Sequence, residues 1–468
     1  MSEPIADLPE APGPASPRSG PAADPTSAEL QALSRQLLVD FMPMATFAED
    51  PFVLVEGEGI RVRDSAGHWY IDGMSGVFVS AFGHANRRLI DAARNQAARL
   101  AFHAPLYSAN VPSLRLMDRL LEITPGGYSV GKFTASGSEA TEAAIKMARQ
   151  FQHQAGRGRR FKILSHYRSY HGSTGHALAA SGGVGWRSAF EPYAPGFVHV
   201  HAPFAIAGRL DGAAGGAESQ AAEDAALALI EETIELEDPD TIAAFITEPI
   251  MLSAGVRVPP RGYLRRLHEL LRRHDIVLIF DEVVTGIGRT GRLFAAEWFD
   301  VVPDILCFGK GISGGYAPLA GLLVQPAVGG SFWAAAGEGT EFRDGHTYGN
   351  NPVASAVGLA ALDQLQADGL IENAARQGDR LMEAIRSASL PAVAGVRGRG
   401  LLIGIAFTSA LGPAVAKAAR ERGLILRQGP DFVALGPPLI VTGDEVDTIA
   451  AITIESIRAA SEGAGQGS

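Results

Sequence analysis

Ile276-Val277-Leu278-Ile279-Phe280 runs directly into Asp281-Glu282-Val283-Val284. Five consecutive apolar residues with no polar residue between them read as a strand covered on both faces, because a half-exposed strand would alternate. Similar runs occur at 161–164 (interrupted by Lys162), 242–246 and 305–308, each bounded by breakers. Apolar residues recur at helical spacing over 138–151, 223–236 and 263–274. Buried strands alternating with amphipathic helices predict an α/β fold: a large domain with a mainly parallel, doubly wound sheet, whose functional residues gather at the carboxyl ends of strands. From about residue 352 to 458 a further α/β stretch, strand-like at 400–407 and 424–426, reads as a smaller C-terminal domain.

At about 150 residues per domain, 468 residues allow two to three domains and a sizeable core. With 55 glycines and 28 prolines the chain is too rich in breakers for a helical bundle. Forty basic against 51 acidic residues give a net charge of −11, and no basic run is long enough to track phosphates, which argues against nucleic acid as a partner. No apolar stretch approaches the roughly 18 residues that span a bilayer, so no membrane partner is expected. A single cysteine excludes an internal disulfide framework and a thiolate zinc cluster, and it suits a reducing, cytoplasmic setting. Residues 1–28, rich in Pro, Ala, Ser and Gly, have too few large apolar side chains to offset ordering entropy and read as a disordered tail. The folded chain is expected to begin with a helix near 30–42, and 208–220 reads as a surface loop. The expected division is 29–79 packing with the small domain, 80–345 the large domain and 346–460 the small one.

Three features sit at strand ends. Asp281 closes the first run, so its carboxylate lies at the mouth of a buried strand, a costly place unless it meets a cation or several donors; on its own it also reads as the cap of the next turn. Lys310, in Gly309-Lys310-Gly311 after 305–308, has glycines on both sides that allow close approach. An amine in an apolar pocket has a depressed pKa and becomes a nucleophile for Schiff-base chemistry, although a loop lysine reaching solvent is the ordinary case. Thr134-Ala135-Ser136-Gly137-Ser138-Glu139 enters a helix, where hydroxyls and free amides make an anion site; Ser136 and Glu139 also have capping-box spacing. A phosphate cradle, an imine-forming lysine and a buried carboxylate are together the parts that hold pyridoxal 5'-phosphate, with the carboxylate keeping the pyridine nitrogen protonated. Tyr170-His171-Gly172, after 161–164, offers an aromatic face for the ring.

Gly286-Ile287-Gly288-Arg289-Thr290-Gly291 matches the dinucleotide pattern G-x-G-x-x-G, but Asp281-Glu282 separates it from its strand and no helix opens at Gly291. His199 with His201, or His268 with His274, lack a carboxylate at metal-binding spacing, so no metal is expected. Cys307 lies mid-strand and reads as a core residue.

At these residues the sequence closely resembles the class III pyridoxal-phosphate aminotransferases of the fold type I superfamily, over residues 41–457. The most specific stretches are 280–291, Phe280 through Gly291, and 307–316, Cys307 through Tyr316. The resemblance implies that Lys310 forms the Schiff base and shuttles the proton, that Asp281 pairs with the pyridinium, and that Val283 and Tyr170 cover the two ring faces. It gives the phosphate to Gly137 and Ser138, counts Ser136 and His171 among the cofactor-binding residues, and sets Glu248 near Asp281. It implies that Thr347, in His346-Thr347-Tyr348-Gly349-Asn350, reaches the phosphate of a neighbouring subunit, which makes a homodimer, or a dimer of dimers, with shared sites.

Within the class, Tyr170-His171-Gly172-Ser173-Thr174 resembles the ω-amino-acid or amine:pyruvate branch; ornithine and acetylornithine members carry Arg where Ser173 stands. Arg427, before Gly436-Pro437-Pro438, looks like the mobile arginine that grips an α-carboxylate. Phe78, Leu106 and Tyr107 match substrate-pocket positions. Ala135 in place of a usual Asn, and Met251-Leu252 after Glu248-Pro249, depart from the family at the rim of the site. The implied activity is ping-pong transfer of an amino group from a primary amine or ω-amino acid to a keto acid, pyruvate first. The alternatives on the same scaffold are a decarboxylase, a racemase, or a diaminononanoate-type aminotransferase. A non-enzymatic regulator is disfavoured because Lys310 and Asp281 are both intact.

Overall fold

The computed structural model describes residues 26–210, 220–333 and 340–465. Its centre is a seven-stranded sheet ordered Val130–Thr134, Ala320–Val324, Ile305–Phe308, Val277–Asp281, Ile242–Thr247, Lys162–His166 and Phe197–Val200. The last five pair in parallel. The apolar runs are therefore strands, and Ile242–Thr247 and Val277–Asp281 are buried along their whole length, as their lack of alternation requires. Val130–Thr134, Phe197–Val200 and Ala320–Val324 lie outside the apolar runs from which the strands are read. Ala320–Val324 runs antiparallel between Val130–Thr134 and Ile305–Phe308, which makes the sheet mixed. Gly321 is needed in it, because a Cβ there would lie 2.4 Å from the Lys132 carbonyl oxygen.

The helix Gly137–Gln154 crosses the sheet on a face of small residues, Ala140, Ala143, Ala144 and Ala148, which lets its backbone approach closely. Larger side chains such as Ile145, Ile163 and Ile279 fill the remaining space, each contributing about 1.5–3 kcal/mol by burial. On the opposite side Tyr263–Arg273 packs Leu264, Leu267 and Leu271 inward.

Two further four-stranded sheets flank this core. Leu54–Glu58, Arg61–Asp64 and Trp69–Asp72 form an antiparallel meander, completed by Leu424–Ile425 in parallel with Trp69–Asp72. The 424–426 strand expected in the small domain thus joins the N-terminal sheet. Val393–Arg399, Leu402–Phe407, Phe432–Leu435 and Arg427–Gln428 form the other sheet, antiparallel throughout, with Arg427 on its edge strand.

The first helix is Ser27–Ser34, capped by Thr26 and Glu29, and not 30–42. A folded cap at Thr26 also moves the start of structure inside the stretch read as tail; residues 1–25 of that stretch lie outside the described residues. The 208–220 loop is shorter than expected, because Pro203–Leu210 and Gln220–Leu236 are helical, and residues 211–219 lie outside the described residues. No described helix is long and apolar enough to cross a membrane.

Candidate active site

The chain's order across the large sheet reverses between Lys162–His166 and Ile242–Thr247, and the crevice beyond the carboxyl ends at such a switch point is where open α/β sheets bind ligands. A cavity of about 160 Å³ opens there, lined from five strand ends. Gly137 and Ser138 come from the helix after Val130–Thr134, Tyr170 to Gly172 from the loop after Lys162–His166, and Glu248 from the end of Ile242–Thr247. Asp281 ends Val277–Asp281, with Val283 and Val284 just beyond it, and Lys310 follows Ile305–Phe308. Larger surface clefts, of about 670 Å³ beside Trp298 and about 370 Å³ beside His268, have no lysine in their walls.

Asp281 uses both oxygens. Oδ1 accepts from Val283 N at 3.1 Å, the turn-capping contact, and Oδ2 lies 2.9 Å from Nδ1 of the buried His171. His171 is itself tethered, its N donating to Ser181 Oγ at 2.8 Å and its carbonyl accepting from Thr141 Oγ1 at 2.7 Å. The carboxylate is thus aimed into the cavity by a ring that cannot swing. The resemblance counts His171 among the cofactor-binding residues, but nothing in the sequence signals this pairing across the sheet.

Lys310 is bent into place by a left-handed backbone, φ 45°, a conformation that costs a non-glycine residue about 1–2 kcal/mol and is retained only where the surroundings hold it. Burial lowers the pKa of its amine, while the Asp281 charge pulls the other way. Glu248 is pushed up to about 7, chiefly by burial; its Oε1 accepts from Tyr170 N at 3.2 Å and Oε2 from Leu252 N at 3.1 Å, so one side chain ties two loops at the cavity wall.

At the helix start Ser136 Oγ accepts from Glu139 N at 3.2 Å, but Glu139 returns to Ala135 N at 2.8 Å and not to Ser136, so the capping box closes one residue early. The first-turn amides of Gly137 and Ser138 have no intrahelical acceptor. A Cβ on Gly137 would strike Val283 Cγ1 at 2.7 Å, and one on Gly172 would strike Ser138 Oγ at 2.6 Å. Both glycines keep the bare backbone at the cavity wall. Free amides at a helix start, an amine and a buried carboxylate are a donor set that fits a phosphorylated pyridine aldehyde.

Of the remaining expected residues, Phe78, Leu106, Tyr107 and Thr347 lie elsewhere in the single chain. Phe78 does not line the cavity: Ser75, Gly76 and Phe78 all have positive φ, and the turn they make drives the ring into the core against Gly436. Leu106 and Tyr107 are 73% and 89% exposed, and Thr347 is exposed too, beside Tyr348, whose ring meets Phe102 edge-on at 6.1 Å. Arg427 is half-buried, with Glu248 and Tyr170 the groups whose charge it feels. Gly286 to Gly291 opens no helix; Arg289 is buried there, donating to the carbonyls of Leu401 and Pro437 and to Ser75 Oγ, and so binds three segments together. No group of three metal-ligating side chains occurs among the described residues.

The family description Aminotransferase class-III matches residues 45–457. The chain belongs to the class III aminotransferases. An aminotransferase of Bacillus subtilis, YhxA, described as uncharacterized, is 34% identical over 87% of this chain and 92% of its own length. A thermostable (S)-enantioselective omega-transaminase from Thermomicrobium roseum superposes with a TM-score of 0.87 at 38% identity, over 94% of this chain and 99% of that one. The omega transaminase from Pseudomonas jessenii, solved in complex with PMP, gives 0.87 at 33% identity over 94% and 99%. The aminotransferase is thus a fold type I enzyme whose cofactor is pyridoxal 5'-phosphate.

Proposed function

We propose that this aminotransferase moves an amino group from a primary amine or ω-amino acid to a keto acid, pyruvate first among them, in two alternating half-reactions. Lys310 would attach the cofactor and then carry the proton between carbons. Asp281, held by His171, would keep the pyridine nitrogen protonated; Gly137 and Ser138, with Ser136 capping the helix, would hold the phosphate. Tyr170 and Val283 would cover the ring faces, and Glu248 would fix the loop beneath them. Bound there, the cofactor supplies an electron sink for the charge left when the substrate's α-proton is removed. We assign the enzyme to the cytoplasm, which suits a chain whose one cysteine is buried and unpaired.

The observation that carries the substrate reading is the state of Arg427. Its buried Nε has no hydrogen-bond partner, and among the described residues no carboxylate forms an ion pair with it. One pocket must take a keto acid in one half-reaction and an amine without an α-carboxylate in the other. A fixed guanidinium would reward the acid with a charge-assisted pair but leave an unpaired charge beside the amine. An arginine on an edge strand with no fixed partner is free to serve both by moving. Arg427→Ala is expected to raise the KM for pyruvate by roughly 10- to 100-fold, the loss of about 1.5–3 kcal/mol of charge-assisted bonding, and to leave the amine half-reaction little changed in single-turnover spectra. Equal damage to both halves would make Arg427 structural.

We further infer that the working unit is a homodimer. Leu106, Tyr107 and Thr347 are exposed in one chain on two stretches that touch, since His103 Nε2 and Asn110 Nδ2 both reach the Asn350 carbonyl. Such a patch suits a second copy that takes Thr347 into its own phosphate site. Sedimentation should give a dimer, with turnover falling on dilution into monomer; a fully active monomer would overturn this.

A further inference from the structure

Three arginines converge on the far side of the loop that follows Glu248. Arg257 closes that loop, its N donating to the Met251 carbonyl at 2.9 Å and its own carbonyl accepting from Met251 N at 3.0 Å. Arg168, two residues before Tyr170, is turned outward by a left-handed backbone, φ 68°. Arg397, on the strand Val393–Arg399, donates Nε to the Gly255 carbonyl at 2.9 Å. The guanidinium carbons of Arg168 and Arg257 lie 6.0 and 5.4 Å from the centroid of one ring, that of Phe204.

Among the described residues none of the three forms an ion pair, and the carboxylate whose field reaches Arg257 and Arg397 is that of Asp431, exposed in the turn before Phe432–Leu435 and outside ion-pair distance. Burial is the first cause lowering the pKa of Arg257 and of Arg397, the latter to about 10, and the neighbouring arginines add to it. The half-buried Arg257 and Arg397, unpaired and facing like charges that include the exposed Arg168, are a standing cost to the fold. A bound anion would remove that cost, and planar guanidinium forks suit an oxyanion with two or more oxygens.

We propose that Arg168, Arg257 and Arg397 form a site for a small multivalent oxyanion, a phosphate or a dicarboxylate, separate from the cofactor cavity. The Phe204 ring supports two of the guanidinium groups from behind and keeps them near one another. The site shares the 248–257 loop with the cavity, because Glu248 anchors one end of that loop and Arg257 the other.

The test is calorimetry and thermal unfolding of the cofactor-loaded enzyme with inorganic phosphate and, separately, malonate, each against sodium chloride at matched ionic strength. The absorption spectrum of the bound cofactor is followed throughout, so that displacement from its own phosphate site is read apart. Wild type should show saturable binding and a rise in unfolding temperature beyond chloride. Response to phosphate alone, malonate alone or both assigns the oxyanion class. Arg257→Met and Arg168→Met should each weaken binding by roughly tenfold, one charge-assisted contact, with the cofactor spectrum and turnover kept. Arg168 is exposed, so its variant carries the test even where Arg257→Met folds poorly. A wild-type response equal to that of chloride, or saturable binding undiminished in Arg168→Met, would overturn the proposal.

Discussion

Lys310→Ala is expected to abolish turnover, by at least about 10³-fold, while the protein stays folded. The size follows from the two functions proposed for one amine: covalent attachment of the cofactor and proton transfer, the second alone contributing about 10²–10⁴-fold where a positioned base acts. No other lysine lines the cavity. The fold should tolerate the change. Alanine takes up the same left-handed backbone at the same cost, and it removes an amine that burial already penalises. The neighbours stay in place, since a Cβ on Gly309 would meet Val283 Cγ1 at 3.1 Å and Ala320 Cβ at 3.3 Å, and that bare backbone, not the lysine, sets the approach of the two loops. The variant should lose the violet absorption of a lysine-bound cofactor. The decisive measurement is on wild type: borohydride reduction, digestion and mass spectrometry should find the pyridoxyl adduct on Lys310, and an adduct on any other lysine would overturn the assignment.

Lys310 and Asp281 were legible for one physical reason. Each ends a run of apolar residues, and such a run signals both a buried strand and the place where it stops, so a charged residue at its end must face the mouth of the sheet. The parallel order of the central strands was legible for the same reason. What stayed hidden was non-local. Ala320–Val324 is as apolar as its neighbours, and nothing in its composition announces that it runs the other way. Leu424–Ile425 leaves the small domain because its partner is Ile71–Asp72, some 350 residues earlier. The His171–Asp281 contact joins two loops whose meeting depends on strand order. Phe78 is placed in the pocket by the family resemblance, but the positive φ angles of Ser75, Gly76 and Phe78 itself turn its ring into the core, and side-chain identity carries no such information. The 286–291 motif opens no helix, and its Arg289 is a structural clamp whose acceptors lie on three distant segments. Leu106, Tyr107 and Thr347 face outward, and the role proposed for them depends on a second copy.

Asp281→Asn should slow turnover on the order of 10³-fold, about 4 kcal/mol of transition-state stabilisation, with almost no change in shape. Asparagine has the volume of aspartate, and its oxygen still accepts from Val283 N. Its amide now faces Nδ1 of His171, and the ring can adapt: Nε2 has no partner among the described residues, so the proton moves there and Nδ1 becomes the acceptor. What disappears is the negative charge. In the cofactor-free enzyme that charge holds up the pKa of the Lys310 amine against burial, so without it the free amine should deprotonate at lower pH there. In the loaded enzyme the same charge is matched by the ring nitrogen, so its loss should read as slower proton removal in the half-reactions, with cofactor loading and fold kept. A merely structural aspartate would show neither the amine shift nor so large a loss with the fold intact. Turnover within a few-fold of wild type, or a loss traced wholly to poor cofactor loading, would remove Asp281 from its assigned place against the pyridine nitrogen.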